Sequence, residues 1–276
     1  MTTRPSAAHP PVLIKLLAHD LRWQLVSALA RSDRRAQELV ALLGQPANLI
    51  SYHLHRLRQA SLVRFRPSSA DGRAQYYSLN LAHMQALFAQ AGQALHPALG
   101  AAAAGSAAGA PAGVGADAAP ESRTTAPPQP LARVLFLCTH NSARSQMAEG
   151  LLRHLSHGQV EAFSAGNAPG QVHPLAIEVM AERGINISDQ SSKHLAQYQG
   201  QRFDYVITVC DLARESCPIF PGHPEQIHWS FPDPSAVPGV AARRRAFQQI
   251  AAELTTRINF LLVRIRRQPG QSPTAR

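Results

Sequence analysis

Cysteine is scarce in this sequence: there are three, Cys138, Cys210 and Cys217, all in the second half. An odd number placed this way excludes a secreted disulfide framework, and none stands near histidines at a zinc-site spacing, so no metal is expected. In a reducing cytosol such cysteines are either core filler or chemistry. Charged residues make up only 16% against 45% apolar, which rules out a disordered composition. There is no apolar run of about 18 residues or more, so no membrane span is expected. The stretch Met1 to Pro11 lacks the basic start and apolar core of a secretory signal. A soluble, cytoplasmic chain without membrane contact is the expectation.

Acidic residues are few, and their scarcity is uneven. Residues 1–96 hold 11 Lys/Arg against 4 Asp/Glu, whereas residues 131–276 hold 15 against 11. The basic excess of the first third points it towards a polyanion such as double-stranded DNA. Between these parts, residues 97–130 carry no large apolar side chain beyond Leu99 and Val114. A segment so poor in apolar surface cannot offset its ordering entropy, and it reads as a flexible Ala/Gly/Pro-rich tether spanning roughly 30–35 Å. Two domains are therefore expected within 276 residues, 1–96 and 131–276.

In the first domain, Val12–Leu29 places leucines at helical spacing, and Arg35–Leu43 repeats the period and stops at Gly44. A helix follows over Asn48–Gln59, then two short strands, Leu62–Arg66 and Gln75–Leu79, then a helix over Ala82–Leu95. An all-α domain with a small β wing, a winged helix-turn-helix, is the expected fold. The second domain alternates strands (Ala132–Leu137, Val160–Ser164, Phe203–Val209, Gln226–Phe231) with helices (Gln146–Leu155, Pro174–Arg183, Ser192–Tyr198, Val240–Arg267). That alternation predicts an α/β domain on a central parallel four-stranded sheet.

The most informative run is Val134-Leu-Phe-Leu-Cys138-Thr-His-Asn-Ser-Ala-Arg144-Ser145. An apolar strand delivers Cys138 to a tight loop, Thr139, His140, Asn141, Ser142, Ala143 and Arg144, and a helix follows. Such a loop turns successive N–H groups towards one point, and the helix start adds positive potential there. Cys138 is expected to sit largely as a thiolate, with the Ser145 hydroxyl donating to it. The Arg144 guanidinium matches a tetrahedral oxyanion.

The stretch Cys138 to Gly150 resembles the signature of arsenate reductases that share the low-molecular-weight tyrosine phosphatase fold. The resemblance continues at Phe163-Ser-Ala-Gly166, Val206-Ile-Thr-Val-Cys210, Glu215-Ser-Cys217-Pro218 and His228-Trp-Ser-Phe-Pro-Asp233-Pro234. It implies that Cys138 attacks the arsenic of arsenate while Asp233 acts as general acid. Two electrons then come from a pair of thiols: Cys210 forms a disulfide with Cys138, Cys217 resolves it to Cys210–Cys217, and an external thiol carrier reduces that bridge. The carrier implied is thioredoxin, or glutaredoxin with glutathione, with no bound cofactor. The sulfurs must meet in turn, so the 210–217 segment must move. A phosphatase of this fold is the competing reading, but such enzymes typically carry tyrosines after the Asp-Pro acid, and here Ser235-Ala236 follow. A regulator whose second half merely senses oxyanion is another alternative. Some of these reductases bind potassium; Asn141, Glu149 and Ser164 match their ligands, but Lys193 stands where an aspartate is expected, so no potassium requirement is predicted.

The stretches Leu16–Arg22, Glu38–Gly44 and Ile50–Leu54 resemble ArsR/SmtB winged-helix repressors, which implies DNA binding, a homodimer through this domain and regulation of arsenic resistance. Asn48, Ser51, Tyr52 and His55 of the recognition helix are the candidate base contacts, and Arg56, Arg58 and Arg73 the candidate phosphate contacts. His53 and His55 are read as a packing and a surface histidine. Arsenic-sensing members carry cysteines before the turn; residues 1–137 have none, which excludes sensing at that place.

Overall fold

A computed structural model describes residues 9–96, 99 and 130–267. The tether assigned to 97–130 lies outside the described residues, apart from Leu99 and Pro130. The first domain runs α1 (Val12–Leu17), α2 (Asp20–Arg31), β1 (Arg34–Arg35), α3 (Ala36–Leu43), α4 (Ala47–Gln59), β2 (Val63–Pro67), β3 (Gln75–Leu79) and α5 (Leu81–Leu95). The single helix expected over Val12–Leu29 is two. His19 is extended and its Nδ1 accepts from the Leu21 amide, which starts α2 afresh. The leucine spacing survives the break because Leu13, Leu17, Leu21, Leu25 and Leu29 enter one core. Gly44 ends α3 at φ 63°, a left-handed cap that glycine adopts without a Cβ clash. The two expected wing strands pair antiparallel, with Phe65 opposite Tyr77. A third strand that the sequence did not announce, β1, joins the other side of β3, giving the order β1-β3-β2.

The second domain contains β4 (Ala132–Cys138), α6 (Arg144–Leu155), β5 (Val160–Gly166), α7 (Pro174–Ala181), β6 (Tyr205–Thr208), α8 (Asp211–Glu215), β7 (Glu225–His228) and α9 (Val240–Arg267). The segment expected to be helical over Ser192–Tyr198 is a 3₁₀ turn at Leu195–Tyr198. The four strands are parallel in the order β5-β4-β6-β7, so β4 is central and its C-terminal end lies in the crevice where parallel sheets place ligands. Its side chains from Val134 to Cys138 are all buried, as a strand covered on both faces requires. Helix α9 buries Phe247, Ile250, Leu254, Ile258, Leu261 and Ile265, the stripe read from the sequence.

Each domain has its own apolar core, and the seam between them carries a set of buried polar contacts. The bend after α2 docks on the end of β7: Asp33 N donates to His228 O (2.8 Å), and His228 N donates to Ser32 Oγ (2.9 Å). The Asp33 carboxylate is fully buried, accepts from Ser230 N (2.7 Å) and holds both terminal nitrogens of Arg257 at 3.0 Å. Arg257 in turn lies over the rings of Trp229 and Phe231. Charges buried this way need complete pairing, and this one has it. No helix among the described residues is long and apolar enough to cross a membrane.

Candidate active site

Cys138 ends β4, and its thiol is buried at the mouth of the loop that follows. Three loop carbonyls are drawn outward: Thr139 O accepts from Ala168 N, His140 O from Gly170 N and Ser142 O from His173 N. Asn141 O accepts from Gln146 Nε2 and Ser192 Oγ. In a trans peptide the C=O and the next N–H point opposite ways. The N–H groups of His140, Asn141, Ser142 and Ala143 are therefore turned inward. Asn141 N already donates to Cys138 Sγ at 3.2 Å, and the Ser145 hydroxyl lies 2.9 Å from the same sulfur. Helix α6 starts at Arg144, so its free amides face the same point.

Asn141 holds the loop in shape. Its φ of 46° is left-handed, a conformation asparagine tolerates. Its side-chain oxygen accepts from Lys193 N and Gln146 Nε2, and its nitrogen donates to Ser145 and Ser164. Gly166 passes beneath: a Cβ there would lie 2.5 Å from Thr139 O and 2.8 Å from Asn141 N. The loop sits where it does because residue 166 has no side chain.

Arg144 is buried and bridges the loop to the segment after β7: Nη1 donates to Phe231 O (3.0 Å) and Nη2 to Asp233 (3.1 Å). Burial pushes the Asp233 carboxyl up, but the Arg144 guanidinium, Ser235 and His140 outweigh it and hold it below its usual value. Cys210 reaches the same loop, its Sγ 3.4 Å from Thr139 Oγ1. Burial raises its thiol, and Arg144 pulls the other way. Cys210 also caps α8, accepting from Ala213 N at 3.4 Å. Cys217 lies beyond the far end of α8, half-buried, its thiol pushed up to about 11 by burial. Cys138, Arg144, Ser145, Asp233 and Cys210 thus surround one point, and Cys217 stands apart in this state. All three cysteines are free thiols.

Lys193 meets the residues matched to the potassium ligands. Its ammonium is 3.4 Å from Glu149 Oε2, and Ser164 Oγ donates to that same carboxylate oxygen at 2.5 Å. Among the described residues no group of three or more His, Cys, Asp and Glu side chains is placed to hold a metal ion.

The sequence is similar to known proteins over these same residues. Residues 133–271 match the family model for low molecular weight phosphotyrosine protein phosphatase. The chain belongs to that family. An arsenate reductase of Shouchella clausii is 40% identical over 126 residues, covering 45% of this chain and 91% of that protein. One from Bacillus subtilis is 36% identical over the same shares. Among solved structures, an arsenate reductase in its oxidized state is 30% identical, at a TM-score of 0.43 over 48% of this chain and 98% of that one. A thioredoxin-dependent arsenate reductase of Corynebacterium glutamicum is 35% identical, at a TM-score of 0.38 over 50% and 62%. Residues 19–74 match a MarR family model, in the same part of the chain as the winged-helix fold. The narrower likeness to ArsR/SmtB repressors rests on the quoted residues alone.

On α4, Asn48, Ser51, Tyr52, His55 and Arg56 are exposed, and Arg73 is exposed on the wing. Arg58 differs: it is half-buried, its guanidinium 3.8 Å from the centre of the Phe65 ring, so it is already engaged. His53 is buried against His19 and His55 is exposed. Sequence reasoning missed Gln146 and Ser192, which fasten the loop at Asn141. It also missed Asp211, which joins Arg66 and Ser69 of the first domain to His228 and Ser230 of its own. Only the position of Asp211 beside Cys210 could have drawn attention to it.

Proposed function

We propose that the chain is an arsenate reductase joined to a DNA-binding regulator of arsenic resistance. The observation that carries this is a second thiol, Cys210, resting on Thr139 of the loop that surrounds the first. A phosphatase has no use for it. In the reaction, Cys138 bonds to arsenic and one arsenate oxygen leaves as water, protonated by Asp233. Cys210 attacks Cys138 Sγ; the S–S bond forms, the As–S bond breaks, and its electron pair leaves on arsenic as arsenite. Cys217 then displaces Cys138 from Cys210, and an external dithiol (thioredoxin, or glutaredoxin with glutathione) reduces the Cys210–Cys217 bridge. His140, Asn141, Ser142 and Ala143 supply amides to the oxyanion, and Arg144 the paired donors. The test is arsenate-dependent oxidation of reduced thioredoxin. Cys210→Ser is expected to abolish it while hydrolysis of p-nitrophenyl phosphate persists. Turnover of thioredoxin by Cys210→Ser at the wild-type rate would overturn the reading.

The regulatory half is supported by the exposed face of α4 and the exposed Arg73. Binding of duplex DNA as a homodimer through this domain follows the winged-helix reading. A gel shift with DNA upstream of the coding sequence, lost in Tyr52→Ala with His55→Ala, tests it.

A further inference from the structure

Helix α8 is the piece of chain between the two relay cysteines, and its five residues include three charged ones, Asp211, Arg214 and Glu215. The N-terminal domain holds all three. The fully buried Asp211 carboxylate accepts from Arg66 Nη2 through both oxygens at 2.8 Å, and from Ser69 N (2.7 Å) and Ser69 Oγ (3.0 Å). Arg214 pairs with Glu38, donates to Asp33 O (3.3 Å) and lies over the Tyr76 ring. Glu215 pairs with Arg35 at 2.6 Å. From within its own domain, Asp211 receives His228 Nε2 (3.1 Å) and Ser230 Oγ (2.8 Å). Arg66 and Ser69 belong to the wing and its loop, and Arg35 and Glu38 cap the start of α3, the first helix of the helix-turn-helix.

The same helix keeps the relay open. Cys210 caps its start and Cys217 follows its end, so seven residues at ~1.5 Å each separate them by about 10 Å. A disulfide needs Cα atoms about 4.4–6.8 Å apart. Closing the Cys210–Cys217 bridge must therefore unwind α8, and Asp211, Arg214 and Glu215 cannot all keep their partners when it does.

We propose that the winged-helix domain clamps the thiol relay through Asp211, Arg214 and Glu215, and that closing the Cys210–Cys217 disulfide releases the wing and the start of α3, weakening DNA binding. The inference rests on the reductase reading, because it uses the bridge that reading assigns. In the reduced state the clamp fixes the wing and α3 together while Asn48, Ser51, Tyr52 and Arg73 stay exposed. A DNA surface made rigid beforehand binds more tightly than one that must be ordered on contact. Arsenate supplies the oxidant, so turnover itself becomes the signal, which suits a module whose own residues include no cysteine. By linkage, bound DNA must oppose closure of the bridge to the same degree.

The experiment uses the full-length protein, reduced or oxidised by diamide, which takes two electrons and two protons from the thiol pair to leave a disulfide and a hydrazine. Mass spectrometry measures the Cys210–Cys217 bridge, and amide hydrogen exchange reads the Ser69 N–H and the wing strands in the same samples. In bridged wild type, Ser69 is expected to exchange at least about tenfold faster, with no change in diamide-treated Cys217→Ser. A duplex selected from a randomised pool by the reduced protein is expected to bind the bridged form at least about fivefold more weakly. Arg66→Met is expected to speed diamide-driven bridging without altering alkylation of Cys138. A bridge that forms with Ser69 exchange unchanged overturns the clamp and leaves the reductase reading standing. Release of the wing with unaltered affinity, or failure of the reduced protein to select any duplex, overturns the DNA half. If neither arsenate nor diamide produces the bridge, the relay fails and the clamp with it.

Discussion

Gly166 shows how tightly single residues constrain the loop after Cys138. The atoms that an added Cβ would meet, Thr139 O, Asn141 N and Cys138 O, all belong to the backbone and cannot swing aside. Gly166→Ala is expected to cost about 1–3 kcal/mol in stability. It should also lower arsenate-dependent turnover by about a hundredfold, since small displacements of reacting groups are that expensive. Thermal melts and steady-state rates check both. Asp233 offers a second test. Without a ligand, Arg144 favours its charged form despite burial. A bound oxyanion takes over Arg144 and places negative charge beside the carboxyl, raising its proton affinity. Binding should therefore take up a proton at Asp233, and affinity for inorganic phosphate should fall as pH rises more steeply in the wild type than in Asp233→Asn. Calorimetry in two buffers of different ionisation enthalpy measures that uptake. At Lys193 the ammonium already faces Glu149. Rates in sodium and in potassium salts are expected to agree, and Lys193→Asp should introduce a preference for potassium.

At the scale of elements, α8 decides what Cys217 can do. With its thiol pushed up to about 11, Cys217 has little thiolate at neutral pH, so alkylation by iodoacetamide should rise about tenfold per pH unit between pH 8 and 10. Once Cys210 is bridged to Cys138 and α8 yields, the same thiol should react at pH 8 at the rate of an exposed cysteine; peptide mapping separates the states. Elements also mark what can be read from a sequence. The strand, loop and helix around Cys138 were legible because apolar residues, cysteine and arginine follow one another within a dozen positions, and each step has a local cause. Helix α8 was not legible, because five residues carry too short a period to recognise. Strand β1 is two residues long and exists only because β3 has a free edge beside it. The break at His19 was hidden because both helices bury leucines into one core.

At the scale of the whole molecule, both folds were legible and the way they meet was not. Arg66 and Asp211 are 145 residues apart, and Asp33 and Arg257 are 224 apart. Neither pair leaves a trace in composition or spacing, and a basic first domain reads equally well as a surface for nucleic acid. Part of that basic excess is in fact spent inside the protein: Arg35 and Arg66 answer acidic groups of the second domain.

The buried Asp211 carboxylate sets a limit on dissection. Were the second half produced alone, beginning after the tether, that carboxylate would lose Arg66 and Ser69 together, and Arg257 would lose Asp33. Removing the first domain also opens both groups to water, so the loss lies closer to the modest worth of solvent-exposed pairs, about 0–1 kcal/mol each, than to the cost of a charge orphaned in the interior. The excised fragment is expected to melt below the intact chain, and adding back residues 1–96 as a separate polypeptide should restore part of the difference.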